Sequence, residues 1–101
     1  MIDRLEAIKA RFDQLGVALT NPEIVGNNRK FAETSKEYRS LEKIVAAYND
    51  YKKILEDVAF YKEALAGTDE EMRELAKMES PGLEERKGQM EAHIRQLLIP
   101  K

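Results

Sequence analysis

The side chains with the best claim to chemistry are carboxylates standing next to one another. Asp69, Glu70 and Glu71 form one run, and Glu84 and Glu85 another; such sets serve general acid–base work or hold a hard cation. Both runs fall in the first turn of an expected helix, where negative charge complements the positive end of the helix dipole, and a structural role accounts for them. His93, the only histidine, stands between Ala92 and Ile94, with Glu91 and Arg95 flanking. A general base needs an acid and a nucleophile converging on it, and none lies at helical spacing, so His93 is expected at the surface or the edge of a seam. There is no cysteine, which removes thiol chemistry, a disulfide framework and Cys-based zinc sites. A single imidazole has no second one with which to share a transition metal.

Two further sets invite a binding role. Arg29, Lys30, Lys36, Arg39 and Lys43 make a loosely basic stretch, but Glu33, Glu37 and Glu42 interrupt it, so a solvated face with local ion pairs is expected rather than an RNA groove. Tyr38, Tyr48, Tyr51, Phe60 and Tyr61 could form a base-stacking platform. The helical spacing of Tyr38, Tyr48 and Tyr51 among leucines assigns those three to a core instead. Phe60 and Tyr61 fall beside Val58 rather than continuing its stripe; they either cover a following short helix or mark an exposed partner surface. Gly88 and Gln89 form a dipeptide between Lys87 and Met90, with nothing around it that resembles a catalytic loop.

The elements that position these residues are helices. Leu5, Ile8, Phe12, Leu15 and Leu19 lie on one helical stripe, with Asp3 as expected cap and Glu6 completing a capping box. Gly16 interrupts the stripe at a cost of about 1 kcal/mol relative to Ala. Thr20, Asn21 and Pro22 stop this helix; Asn21-Pro22 starts a short turn that Gly26, Asn27 and Asn28 close. From Arg29 to Ala66 run 38 residues without glycine or proline. Their stripe is Phe31, Thr34, Tyr38, Leu41, Ile44, Tyr48, Tyr51, Leu55 and Val58, with a stammer where Tyr38, Leu41 and Ile44 are spaced three apart. At about 1.5 Å per residue this helix would measure roughly 57 Å, against a radius of gyration near 13 Å for a compact chain of this size, so an elongated molecule is expected. Gly67 ends the helix, and Thr68 with Glu71 forms a second expected capping box ahead of a short helix bearing Met72, Leu75 and Ala76. Ser80, Pro81 and Gly82 are expected to break the chain there. A last helix then carries Leu83, Met90, Ile94 and Leu97, with Lys87 in the seam, and Pro100 ends it. The fold class is all-α: an elongated antiparallel helical hairpin, or three- to four-helix bundle, around one long coiled-coil-like helix of about 38 residues.

The balance of 17 Lys and Arg against 19 Asp and Glu leaves a formal charge of −2 over 101 residues. That gives this stretch no electrostatic reason to seek phosphate backbones, and no autonomous nucleic-acid binding is expected. Charged residues from Asp3 to Asp13 leave no room for a signal peptide, and no apolar run approaches a membrane span. A cytoplasmic location, no membrane partner and no cofactor are expected.

Three segments carry a family resemblance. Residues 31–41, Phe-Ala-Glu-Thr-Ser-Lys-Glu-Tyr-Arg-Ser-Leu, resemble the start of the long helix in the bacterial class I peptide chain release factors that form the release factor 1 family. Residues 70–76, Glu-Glu-Met-Arg-Glu-Leu-Ala, resemble the helix that follows, and residues 97–101, Leu-Leu-Ile-Pro-Lys, resemble the Leu-Leu-Pro-Lys junction at which that first domain gives way to the next. Each motif alone is weak, but their order and spacing match over essentially the whole chain. The leucine-rich ending and the lack of tryptophan favour this family over its UGA-reading paralogue.

The resemblance implies that residues 1–101 are a single amino-terminal helical domain of a longer factor. It also implies translation termination at UAA and UAG, and peptidyl-tRNA hydrolysis triggered on the ribosome through a Pro-x-Thr codon-reading tripeptide and a Gly-Gly-Gln loop. Neither motif is in this chain: no proline has a threonine two residues on, and Lys87 stands where the first glycine would be. No catalytic, cofactor or metal residue carries over, this stretch is not expected to be an enzyme, and the resemblance names no partner-binding residue. Implied partners are the ribosome near its stalk base, the class II release-factor GTPase and, for the whole factor, the glutamine methyltransferase that modifies its loop. The competing reading is a free-standing coiled-coil adaptor or chaperone-like hairpin, which predicts self-association through exposed seam positions.

Overall fold

The computed structural model describes residues 1–100, and they form an all-α fold of four helices: α1 (Ile2–Ala18), α2 (Pro22–Val25), α3 (Asn28–Ala66) and α4 (Glu70–Leu97). The expected long helix is α3, at 39 residues. The chain divides into two compact units, residues 1–46 and 47–101. The irregular step at Leu41 and Ile44 in the stripe of α3 comes just before that division in the sequence.

In the first unit α1 packs on the opening turns of α3. Leu5 and Leu15 of the expected stripe are buried, and Ile8, Phe12 and Leu19 are half-buried. On α3, Ile44 and Val45 close the core. The Phe12 and Tyr38 rings stack with centroids 4.3 Å apart. Gly16 sits one turn beyond Phe12, and a Cβ there would lie 3.4 Å from the Tyr38 ring, so the glycine inside the stripe gives that ring its room. Phe31, placed on the stripe of α3 by spacing, is instead 41% exposed.

The start of α1 departs from expectation. The helix begins at Ile2 after Met1, with no side-chain cap, so Asp3 lies within the first turn rather than ahead of it. The Leu5 N–H bonds to the Met1 carbonyl at 3.1 Å, which winds the turn that carries Leu5 into the core; Asp3 then complements the helix dipole. The Asn21-Pro22 reading holds: the Asn21 side chain accepts from the Glu23 N–H at 2.9 Å, and Pro22 opens α2. Gly26 closes α2 because its N–H bonds to the Pro22 carbonyl at 2.8 Å and a Cβ would come within 3.0 Å of that oxygen.

In the second unit the remainder of α3 and all of α4 pair antiparallel across the short turn at residues 67–69. Ala47, Tyr48, Tyr51, Ala76, Leu83 and Ile94 form its core. Gly67 does follow the last helical residue, but not with the left-handed backbone typical of a terminating glycine. The cap of α4 is Asp69, not Thr68: its carboxylate accepts from the Met72 N–H at 3.2 Å.

The expected break at Ser80-Pro81-Gly82 is absent, and α4 runs unbroken for 28 residues with Pro81 inside it. The seam explains why. Ala76, Leu83, Met90 and Leu97 recur every seven residues, interleaved with Arg73, Ser80, Lys87 and Ile94, and all eight are buried or half-buried. A break at Pro81 would take one half of this seam out of register with α3. Pro81 itself faces solvent, where water can satisfy the carbonyl that its missing N–H leaves free.

Candidate functional site

The candidate carboxylates do not come together among the described residues. Asp69 is occupied as the α4 cap, Glu70 pairs with Arg73 at 3.6 Å, and no group of three or more His, Asp or Glu side chains converges among the described residues. Glu84 lines a groove beside Lys87, and Glu85 points to solvent. His93 is exposed on α4, beside Ile54, Arg86, Gln89 and Met90. Gly88 and Gln89 lie on the exposed side of α4.

The basic stretch resolves into ion pairs. Arg29 pairs with Glu33 at 3.2 Å, and Arg11 reaches from α1 to hold both carboxylate oxygens of Glu37 at 2.8 Å. The hydrogen bonds from Arg11 pull the Glu37 carboxyl below its ordinary pKa, and the same bonds raise that of Arg11. Of the tyrosines, Tyr48 and Tyr51 are buried and Tyr38 is stacked on Phe12, so a base-stacking platform is not formed by them. Lys52 lies 5.3 Å from the Tyr48 ring centroid, a cation–π contact at the seam edge. The Tyr51 hydroxyl donates to Glu91 at 2.7 Å across the α3–α4 pair, and burial, then this bond, push its pKa up to about 12.

What the second unit does offer is surface. One groove, of about 270 Å³, is lined by Val58, Lys62, Leu65, Ser80, Leu83, Glu84 and Lys87. A second, of about 280 Å³, lies against the α3–α4 turn, lined by Phe60, Glu63, Ala64, Gly67, Thr68, Asp69 and Met72. Phe60 is 54% exposed, its ring meeting Tyr61 edge-on at 5.3 Å; on α4 Leu75, expected on the apolar face, is exposed, as is Met78. The off-stripe position of Phe60 and Tyr61 left open cover for the following helix or an exposed surface; Phe60 is exposed and Tyr61 half-buried. The contributions of Ala64, Met72 and the acidic rim were missed, although the run from Glu63 to Glu71 holds four acids and no base.

Fold and surface together define an all-α helical chain whose second unit exposes grooves and apolar side chains. The sequence model of the PCRF domain matches residues 8–101, and the chain belongs to that family. Among similar proteins, the peptide chain release factor 1 of Cytophaga hutchinsonii is 42% identical over the whole chain, that of Lactococcus lactis subsp. cremoris 41%, and that of Myxococcus xanthus 36%. The chain spans only 28–29% of the length of these relatives. No solved structure matches it significantly. No helix among the described residues is long and apolar enough to cross a membrane.

Proposed function

We propose that this chain is the amino-terminal interaction domain of a bacterial peptide chain release factor 1, acting in translation termination at UAA and UAG. The observation that carries the reading is whole-length similarity to release factor 1 proteins over little more than a quarter of their length. The sequence itself holds neither a Gly-Gly-Gln nor a Pro-x-Thr motif, which is consistent with a reading in which this stretch neither triggers hydrolysis nor reads the codon. Residues 1–101 work as one domain that contributes docking, near the ribosomal stalk base and the class II release-factor GTPase, in the cytoplasm. The glutamine methyltransferase acts on the whole factor. The formal charge of −2 fits a module whose attachment relies on protein surfaces more than on phosphate backbones.

Cosedimentation of the 101-residue chain with ribosomes tests this. Binding should occur equally on ribosomes programmed with a stop or a sense codon, and should weaken when the GTPase-associated region is occupied by a translational GTPase. A chain that never sediments with ribosomes would sink the proposal. A stable dimer in analytical ultracentrifugation would favour the free-standing coiled-coil adaptor instead.

A further inference from the structure

We infer that the groove at the α3–α4 turn is a docking site for a basic amphipathic helix of a protein partner. Its floor is apolar, built from Phe60 and Ala64 of α3 and Met72 of α4. Its rim is acidic: Glu63 and Asp69 line it, Glu71 is exposed in the adjoining turn of α4, and no lysine or arginine lines it. Among the described residues Glu63 and Glu71 make no ion pair, whereas Glu70 pairs with Arg73 and Glu74 with Lys77. A half-exposed phenylalanine beside a half-buried methionine gives an apolar anchor somewhere to insert, and flexible methionine adapts to its shape.

The chemistry of the occupant follows from size and charge. At about 280 Å³ the groove falls just below the ~300–1,000 Å³ usual for small-molecule sites, and it suits side-chain anchors from a helix laid along it. The acidic rim repels nucleic acid phosphate and anionic lipid headgroups alike. It attracts lysines and arginines placed beside the apolar anchors, which steer encounter and fix orientation. The first groove, lined by two lysines, Lys62 and Lys87, and one acid, Glu84, lacks this acidic excess and serves as the internal control.

This inference rests on the reading of the chain as an interaction domain, but its test is separate. The isotope-labelled 101-residue chain is titrated with a synthetic Leu/Lys amphipathic helix, its Leu/Glu counterpart, single-stranded RNA and anionic vesicles, and amide shifts are followed by NMR. The Leu/Lys peptide should shift amides between residues 60 and 72, with binding weakened by salt. F60S should weaken it about tenfold or more, as expected for a central apolar anchor. E63K/E71K should reverse the preference towards the Leu/Glu peptide, whereas K62E and K87E should leave Leu/Lys binding unchanged. Circular dichroism of each variant confirms that the helices persist. Equal binding of the two peptides, shifts centred elsewhere, no response to F60S, or RNA or vesicles taking the groove would each overturn the proposal. A chain that sediments with ribosomes but takes no cationic helix at this groove overturns the groove alone and leaves the ribosomal reading standing.

Discussion

The phenol of Tyr51 is buried, yet its hydroxyl reaches the half-buried Glu91 carboxylate at 2.7 Å, so one polar bond ties the two helices of the second unit at a defined register. Burial and that carboxylate hold the phenol neutral, with a pKa raised to about 12 from the ordinary value of about 10. An acid whose pKa is raised on folding favours the folded state while it is protonated. Its contribution is therefore intact below about pH 10 and fades as pH climbs through about 12. Y51F should lower stability by about 1 kcal/mol, the net worth of one such bond at a partly hydrated site. It should also remove one late-titrating phenol from an ultraviolet titration of the four tyrosines. The Arg11–Glu37 pair works at the other end of the scale. Glu37 has a depressed pKa, so its contribution is present above about pH 4.3, the ordinary glutamate value, and is lost as pH falls through its lower folded value. E37Q should therefore lower the melting temperature at pH 7 and have little effect near pH 2, measured by thermal circular dichroism; because the pair is solvent-exposed, the difference should shrink in high salt.

At the scale of elements, α4 is the instructive case, since a proline and two glycines lie within an unbroken helix. Residue types at Ser80, Pro81 and Gly82 read as a terminus because each disfavours helix locally. The seven-residue recurrence of Ala76, Leu83, Met90 and Leu97 pointed the other way, and packing against α3 prevailed over propensity. The same contest moved two caps: Leu5 drew the start of α1 ahead of Asp3, and the better acceptor at Asp69 displaced Thr68. The stripes of α1 and α3 were legible in the sequence because period is a property of neighbours in the chain. Pairings such as Phe12 with Tyr38, or Tyr51 with Glu91, were not, because they join residues 26 to 40 positions apart. The groove was half legible, through Phe60 alone. If Pro81 and Gly88 persist in α4 only because the seam carries them, replacing them should stabilise the helix. A Cβ at Gly88 meets nothing within 4 Å, so G88A should add about 0.5–1 kcal/mol. P81A restores a helical N–H at a solvent-facing position and should add about 1–3 kcal/mol. Urea denaturation checks both, and a loss of stability in P81A would show that the proline sets a bend that the seam needs.

For the whole molecule, the deciding fact is that the chain divides into two compact units while one helix, α3, runs through both. Leu5 is 1% exposed in the first unit and Ile94 is 0% exposed in the second. Truncating either to alanine removes a fully buried aliphatic group, and each should cost about 2–4 kcal/mol. Cores this small leave little reserve, since a chain of this length is stable by only about 5–15 kcal/mol in all. Hydrogen exchange should then separate the units. L5A should expose amides mainly within residues 1–46, and I94A mainly within residues 47–100. Uniform loss of protection across the chain in both variants would show instead that α3 transmits every opening and that the two cores unfold as one cooperative unit. The distinction bears on the proposed docking role, because a second unit that opens independently could adjust the groove at its α3–α4 turn to a partner.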